Sequence, residues 1–294
     1  DADMPEYNVA IDIYEGHWIN LQEYAPPATI DPKDAKRRLL EVVEAVSCVT
    51  NIPLKDIHIK QRSRQKGKSQ YIKYDDRNIY EVMNENDCKF LINFTDYIDV
   101  GVFLDYRNIR KLIATFTKGK HFLNLFGYTG TATIAAAIGG SASTTTVDAS
   151  GTYCRWAEKN LNLNNCSGED NRIIQQDCFE FLEKDQSLYD IILLDPPTFS
   201  NSNSRQRTFS VQNDYVELIR LAINRLDRDG VLIFTTNFKK FHIDHEQLSD
   251  LLIEEITSQT IPEDFNRRKG DIHTKIHRSF NINKANCGGT EVQL

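Results

Sequence analysis

Apolar positions keep two different rhythms along this chain. Up to about residue 97 they alternate with polar ones or recur at helical spacing. Tyr7 to Tyr14 and His17 to Tyr24 alternate as half-buried strands, and Glu15-Gly16 between them has the composition of a tight hairpin. Asp31-Pro32-Lys33-Asp34 supplies the cap, the first-position proline and the early acid of a helix start; Leu39, Val42, Val43 and Val46 then form one stripe. Strands are predicted near Ile57–Lys60, Ile79–Val82 and Lys89–Phe94. From Asp99 the apolar residues gather into short continuous runs separated by helical stripes, the rhythm of strands buried on both faces of a parallel sheet. The stripes are Leu104, Ile109, Leu112, Ile113 and Phe116; Ala132 to Ile138; Tyr153, Trp156, Ala157 and Leu161; and Tyr215, Leu218, Ile219, Ala222, Ile223 and Leu226. The runs are His121–Phe126, Thr144–Val147, Arg172–Gln176, Tyr189–Leu194 and Val231–Thr235, with His277–Ile282 as a last strand. The pattern predicts a small α+β unit over residues 1–97 and a doubly wound, Rossmann-like α/β domain over 98–294.

The polar residue that ends each run carries the chemistry, because open α/β sheets bind ligands beyond the carboxyl ends of their strands. The first run opens into Gly127-Tyr128-Thr129-Gly130, whose spacing does not fit Gly-x-Gly-x-x-Gly and so weakens a nicotinamide reading. S-adenosyl-L-methionine has no phosphate, and a looser turn with the Thr129 hydroxyl suffices for its amino-acid end. The next three runs stop at Asp148, Asp177 and Asp195. Asp148 stands at the distance from the glycine turn that suits ribose hydroxyls, with Ser150 as cap of the next helix. Asp177 can accept from an adenine amine while Phe179 packs beside the ring. The predicted cofactor pocket thus holds Asn124, Phe126, Tyr128, Thr129, Gly130, Asp148, Ser150, Asp177, Cys178, Phe179 and Asp195. In Asp195-Pro196-Pro197-Thr198-Phe199 two prolines stop the strand beside a carboxylate, an arrangement that resembles enzymes methylating a planar nitrogen base. Asp195, Pro196, Pro197 and Phe199 are the candidate catalytic residues.

Six scattered cysteines without a Cys-x-x-Cys pair read as reduced cytoplasmic thiols. His242/His245 and His273/His277 read as solvated or core histidines, and no metal is expected. A formal charge of −7 excludes indiscriminate nucleic-acid binding, and no run approaches membrane-spanning length. The segment 60–71 nevertheless concentrates Lys60, Arg62, Arg64, Lys66 and Lys68 without an acid, a finger suited to phosphate contacts. Arg205 with Arg207, and Arg267 with Arg268, are further candidate RNA contacts in predicted loops. The chain begins with Asp1 rather than Met, as expected of a piece of something larger.

Nearly the whole chain resembles the C-terminal half of the bifunctional bacterial 23S rRNA methyltransferases, the half that makes 7-methylguanosine. The resemblance is carried by Gln22-Glu-Tyr-Ala-Pro-Pro27, Arg64-Gln-Lys-Gly67, Val102-Phe-Leu-Asp105, Phe122-Leu-Asn-Leu-Phe126, Tyr128-Thr-Gly130, Thr144-Thr-Thr-Val-Asp148 and, most specifically, Asp195-Pro-Pro-Thr-Phe-Ser-Asn-Ser202. It implies a class I S-adenosylmethionine-dependent fold, 23S rRNA as partner, and a preceding methyltransferase half with an RNA-binding module. It also implies that Phe103, Asp105 and Arg107 neighbour the cofactor's methionine end; the plainer alternative makes Phe103 core and Asp105 with Arg107 a local ion pair. Related enzymes that methylate carbon 5 of a pyrimidine carry a nucleophilic cysteine where Asn237 stands here, which disfavours that route. Guanine N7 has an in-plane lone pair and needs only placement, with Asp195 at the base and Tyr128 or Phe199 stacking on it. The competing readings are methylation of cytosine C5 or guanine N2, a nicotinamide oxidoreductase, and a non-catalytic RNA-binding domain.

Overall fold

A computed structural model describes residues 4, 6–26, 29–62, 75–201, 208–265 and 276–285. The chain divides into two compact units, residues 1–84 with 91–102, and residues 85–90 with 103–294.

In the first unit, β1 (Val9–Tyr14), β2 (Trp18–Tyr24) and, after helix α1 (Pro32–Thr50), β3 (Ile57–Arg62) form a sheet in the order β1-β2-β3. β1 and β2 pair antiparallel, and Glu15 (φ 53°) and Gly16 (φ 72°) are both left-handed, as a turn matched to strand twist requires. The Asp31 carboxylate caps α1 by accepting from the Lys33 amide at 2.8 Å. The expected stripe packs on the sheet: Leu39, Val42, Val43 and Val46 meet Ile19, Leu21, Ile52 and Ile57. The hairpin of β4 (Glu81–Glu85) and β5 (Cys88–Ile92) follows, with residues 85–90 belonging to the second unit. β4 starts at Glu81 rather than at Ile79, because the Arg77 and Asn78 amides donate to the Asp96 carboxylate and Asn78 is left-handed.

The basic segment begins inside β3 rather than in a loop. The Lys60 ammonium donates to the carbonyls of Tyr97 and Ile98 at 2.7 and 3.2 Å, and burial lowers its pKa to about 8. Arg62 donates to Gln22 and Asp99. Arg64, Lys66, Lys68, Arg205, Arg207, Arg267 and Arg268 lie outside the described residues.

The second unit alternates helices and strands: α2 (Arg107–Phe116), β6 (His121–Leu125), α3 (Thr131–Ile138), β7 (Ser143–Asp148), α4 (Gly151–Leu163), β8 (Asn171–Gln175), α5 (Cys178–Lys184) and β9 (Tyr189–Leu194). A small hairpin of β10 (Phe199–Asn201) and β11 (Thr208–Ser210) leads to α6 (Val211–Asn224), β12 (Leu226–Thr236), β13 (Leu251–Glu255), α7 (Thr257–Thr260) and β14 (Arg278–Lys284). The seven-stranded sheet runs β13-β14-β12-β9-β6-β7-β8, with only β14 antiparallel to its neighbours. The pleat sorts the apolar runs onto two layers. Ile191, Leu193, Val231 and Ile233 face Ile109, Ile113, Ala132 and Ala136 of α2 and α3, whereas Ile192, Leu194, Leu232 and Phe234 face Leu218, Ile219 and Ala222 of α6. The predicted doubly wound domain is therefore present. β13 and the β10–β11 hairpin are additions to it. No helix among the described residues is long and apolar enough to cross a membrane.

Candidate active site

The strand order reverses between β6 and β9, and the crevice at such a switch point is where a doubly wound sheet takes its ligand. Asp148 and Asp195 stand on either side of it, at the ends of β7 and β9, which both flank a β6 that leads into the glycine turn.

Asp195 leaves the sheet because Pro196 and Pro197 cannot continue the ladder. The parallel register Phe234↔Leu194 places Thr235 beside it. The Thr235 hydroxyl donates to Asp195 Oδ1 at 2.6 Å, and the Tyr106 hydroxyl donates to the same oxygen at 2.8 Å. Oδ2 has no hydrogen-bond partner among the described residues. Desolvation pushes the Asp195 carboxyl up to about 6, opposed by the two hydroxyl donors. Desolvation first, and then the charge of Asp195, raises the Tyr106 phenol well above its ordinary value, so Tyr106 stays a donor. Behind this pair lies a second buried network. Asp105 Oδ2 meets His277 Nδ1 at 3.1 Å, His277 Nε2 meets the Thr260 hydroxyl at 3.1 Å, and the Tyr106 ring lies 4.9 Å from the imidazole.

The first turn is built under strain. Phe126 (φ 56°), Tyr128 (φ 50°) and Gly130 (φ 75°) are left-handed, and a Cβ on Gly127 would stand 2.3 Å from Thr146 Cγ2. The turn is pinned by the Gly127 amide on the Val147 carbonyl at 3.0 Å and by the Tyr128 amide on Asp148 Oδ2 at 2.9 Å. Asp148 Oδ1 accepts from the Ser150 amide at 2.8 Å, and the Ser150 hydroxyl caps α4. Desolvation lifts Asp148 to about 6 in spite of these donors. The Tyr128 ring lies 5.2 Å from Phe103 and 4.5 Å from Tyr153, a wall of aromatic faces beside the acid.

The predicted residues therefore separate into those that line the crevice and those that shape it. Phe103 is exposed, not core. Asp105 and Arg107 do not pair with each other: Asp105 hydrogen-bonds His277, and Arg107 forms an ion pair with Asp264. Asn124 and Thr129 are buried; Asn124 donates to Thr133 at 3.0 Å, and the Thr129 carbonyl accepts from Asn160 at 2.8 Å. Asp177 Oδ1 is the cap of α5, accepting from the Phe179 and Glu180 amides at 3.0 and 3.3 Å. Phe179 is core, 5.8 Å from Phe209, and the buried Cys178 thiol accepts from the Phe126 amide at 3.2 Å. Phe199 is exposed and lies 6.4 Å from Phe238, while the Thr198 hydroxyl donates to Asn237 Oδ1 at 2.6 Å. Sequence reasoning missed Tyr106, Thr235 and the partnership of His277. Thr235 carried the signal used for the acids, a polar residue closing an apolar run; Tyr106 sat between two flagged neighbours.

The donor set suits a nucleoside cofactor. Asp148 offers acceptors to vicinal hydroxyls, and Phe103 and Tyr128 offer faces to a sulfonium or a base. S-adenosylmethionine requires no phosphate cradle, and the strained turn with no Gly-x-Gly-x-x-Gly pattern provides none.

Residues 19–269 match the family described as S-adenosylmethionine-dependent methyltransferase. The chain is 49% identical over 97% of its length to "Ribosomal RNA large subunit methyltransferase K/L" of Syntrophotalea carbinolica, and 46% identical over 96% to the protein of that name in Acinetobacter baylyi. It spans only 39% and 38% of those relatives. The fold matches that of SMU.776, crystallised with SAH (24% identity, 94% of this chain, 71% of that one, TM-score 0.75). It also matches the SAM-dependent methyltransferase from Agrobacterium tumefaciens (19% identity, 95% of this chain, 88% of that one, TM-score 0.60). Family match, sheet order and crevice chemistry agree: the chain belongs to the S-adenosylmethionine-dependent methyltransferases.

Proposed function

We propose that the chain methylates N7 of a guanine in 23S ribosomal RNA, in the cytoplasm, as part of a longer protein that carries a second methyltransferase half and an RNA-binding module. Bound S-adenosylmethionine supplies an electrophilic methyl group on sulfur. The lone pair of N7 forms the new bond as the carbon–sulfur bond breaks; no proton leaves, and the imidazole ring gains the positive charge. No general base is needed, and what the chain must supply is placement and a matching field. Asp148 holds the ribose hydroxyls, Phe103 and Tyr128 wall the methionine end, and Phe199 stacks on the extruded base. Asp195, ionised above about pH 6, turns Oδ2 toward the growing charge while Tyr106 and Thr235 fix Oδ1. The exposed Lys239 and Lys240, beside Asn237, reach RNA phosphates.

One observation carries this reading: the group at the site is an anchored acid, and no thiol faces it among the described residues. The two thiols that abut the crevice, Cys154 and Cys178, donate to the backbone carbonyls of Asp148 and Val147, and burial pushes the Cys154 thiol up to about 11. A pyrimidine route through a thiolate has no nucleophile there. A second reading, transfer to the exocyclic amine of guanine, is favoured by the acceptor Oδ2. The test is to methylate unmodified large-subunit RNA, cleave with borohydride and aniline, which cut at 7-methylguanosine, and map the product by mass spectrometry. Cleavage at one guanine is expected; N2-methylguanosine or a 5-methylpyrimidine would overturn the proposal. Asp195→Ala should lose roughly 100-fold or more in transfer rate with S-adenosylhomocysteine affinity intact.

A further inference from the structure

We propose that Asn237 selects guanine by donating a hydrogen bond from its side-chain amide to the exocyclic O6 beside N7. The inference rests on the guanine-N7 reading and adds to it the group that recognises the base.

Asn237 follows the end of β12 and is exposed on the side of the sheet edge where Asp195 leaves β9. One hydrogen bond orients its amide in the structure. The Thr198 hydroxyl, three residues beyond Asp195, donates to Oδ1 at 2.6 Å, which turns Oδ1 toward the Asp195–Phe199 loop and Nδ2 outward. The two Nδ2 hydrogens have no partner among the described residues. The flanking residues Phe199 and Phe238 bring their rings together, so the fixed donor sits beside an exposed aromatic face on which a base can lie.

Base chemistry then decides what this donor can read. The N7 edge of guanine presents two acceptors, N7 and O6; the same edge of adenine presents N7 and a donor, the N6 amine. N7 receives the methyl group and is unavailable as an acceptor, which leaves the neighbouring position as the only feature on that edge that tells the two purines apart. A donor fixed there pairs with O6 and meets the adenine amine donor to donor, and a site left with an unpaired polar group rejects the analogue that lacks the match. A carboxylate could not do this, because it would set acceptor against acceptor.

The test uses the full chain on the large-subunit RNA, with the methylated position first mapped on the wild type. Three versions of that position are compared: guanine, inosine, which keeps O6 and loses the 2-amine, and 2-aminopurine, which keeps N7 and loses O6. The wild type should methylate inosine about as fast as guanine and 2-aminopurine roughly 10- to 100-fold more slowly in kcat/KM. Asn237→Ala should bring guanine and 2-aminopurine together. Asn237→Asp keeps an acceptor for the Thr198 hydroxyl but has no donor to offer, and should lose transfer to guanine while keeping S-adenosylhomocysteine affinity. Equal rates on guanine and 2-aminopurine in the wild type would overturn the inference without any variant. So would an Asn237→Asp enzyme as active as the wild type, which would make Asn237 a loop clamp only. A wild-type product other than 7-methylguanine would instead defeat the underlying reading, and is seen before any variant is made.

Discussion

Asp195 and Asp148 are both pushed toward a pKa of about 6 by desolvation, yet the donors around them differ in a way that separates their stability effects. A carboxyl whose pKa is higher in the folded than in the unfolded state binds its proton more tightly when folded. Its contribution to stability therefore falls as pH rises from about 4 to about 6, and the full penalty persists above that window. At Asp195 both donors converge on Oδ1, so an asparagine keeps both bonds and sheds the buried charge. At Asp148 each oxygen takes one amide, from Tyr128 and Ser150, so an asparagine must set its own N–H against one of them. Asp195→Asn is predicted to raise stability at pH 8 by on the order of 1 to 2 kcal/mol, with the gain vanishing toward pH 4. Asp148→Asn should show no such gain. Denaturant unfolding across pH measures both, and a stability gain for Asp195→Asn that persists at pH 4 would show that ionisation is not its source. The transfer rate of Asp195→Asn should fall even as its stability rises, as expected of a site that stores unfavourable charge.

At the scale of elements, the crevice depends on how closely the helices beneath it approach. Gly139 closes α3 with an ordinary φ of −66°, so its lack of a side chain is not a matter of backbone freedom. A Cβ there would lie 2.3 Å from the Ala114 carbonyl oxygen and 2.8 Å from its Cα, both backbone atoms of α2 that cannot swing aside. Gly139→Ala should force the two helices apart and destabilise the domain by about 1 to 3 kcal/mol, read as a lowered unfolding midpoint. The same scale explains what the sequence could and could not reveal. Strand ends were legible because their signal is local: an apolar run, then an acid, then a proline or a cap. The glycine turn was legible as a turn, but not that Phe126 and Tyr128 would be left-handed within it. The network around Asp195 joins residues 89 and 40 positions apart, and Asp105 meets His277 across 172 positions. The Asp195–Thr235 pairing needs β12 laid parallel beside β9, and the Asp105–His277 pairing needs β14 inserted antiparallel beside β12, a topology that no window of periodicity encodes. Asp177, just beyond β8, caps α5 through Oδ1, and Phe179 packs in the core.

For the whole molecule, the proposed function asks a chain with a formal charge of −7 to grip a polyanion. Overall attraction is absent, so affinity must come from a few cations set where the backbone of the RNA passes, and each phosphate they neutralise adds a separate increment to the salt dependence. Whether a cation is already neutralised within the protein decides whether it can contribute. Arg62 is spent on Asp99 and Gln22, whereas Lys239 and Lys240 are exposed immediately beyond Asn237. Replacing both lysines by glutamine should reduce the slope of log affinity against log salt by roughly 0.7 to 0.9 for each phosphate no longer neutralised. S-adenosylhomocysteine affinity should not change. Arg62→Gln in the same titration should leave the slope close to that of the wild type and lower stability instead, because its removal uncovers Asp99 rather than an RNA phosphate. A slope that falls for Arg62→Gln and not for the lysine pair would place the RNA along the first unit's basic segment rather than at the mouth of the crevice.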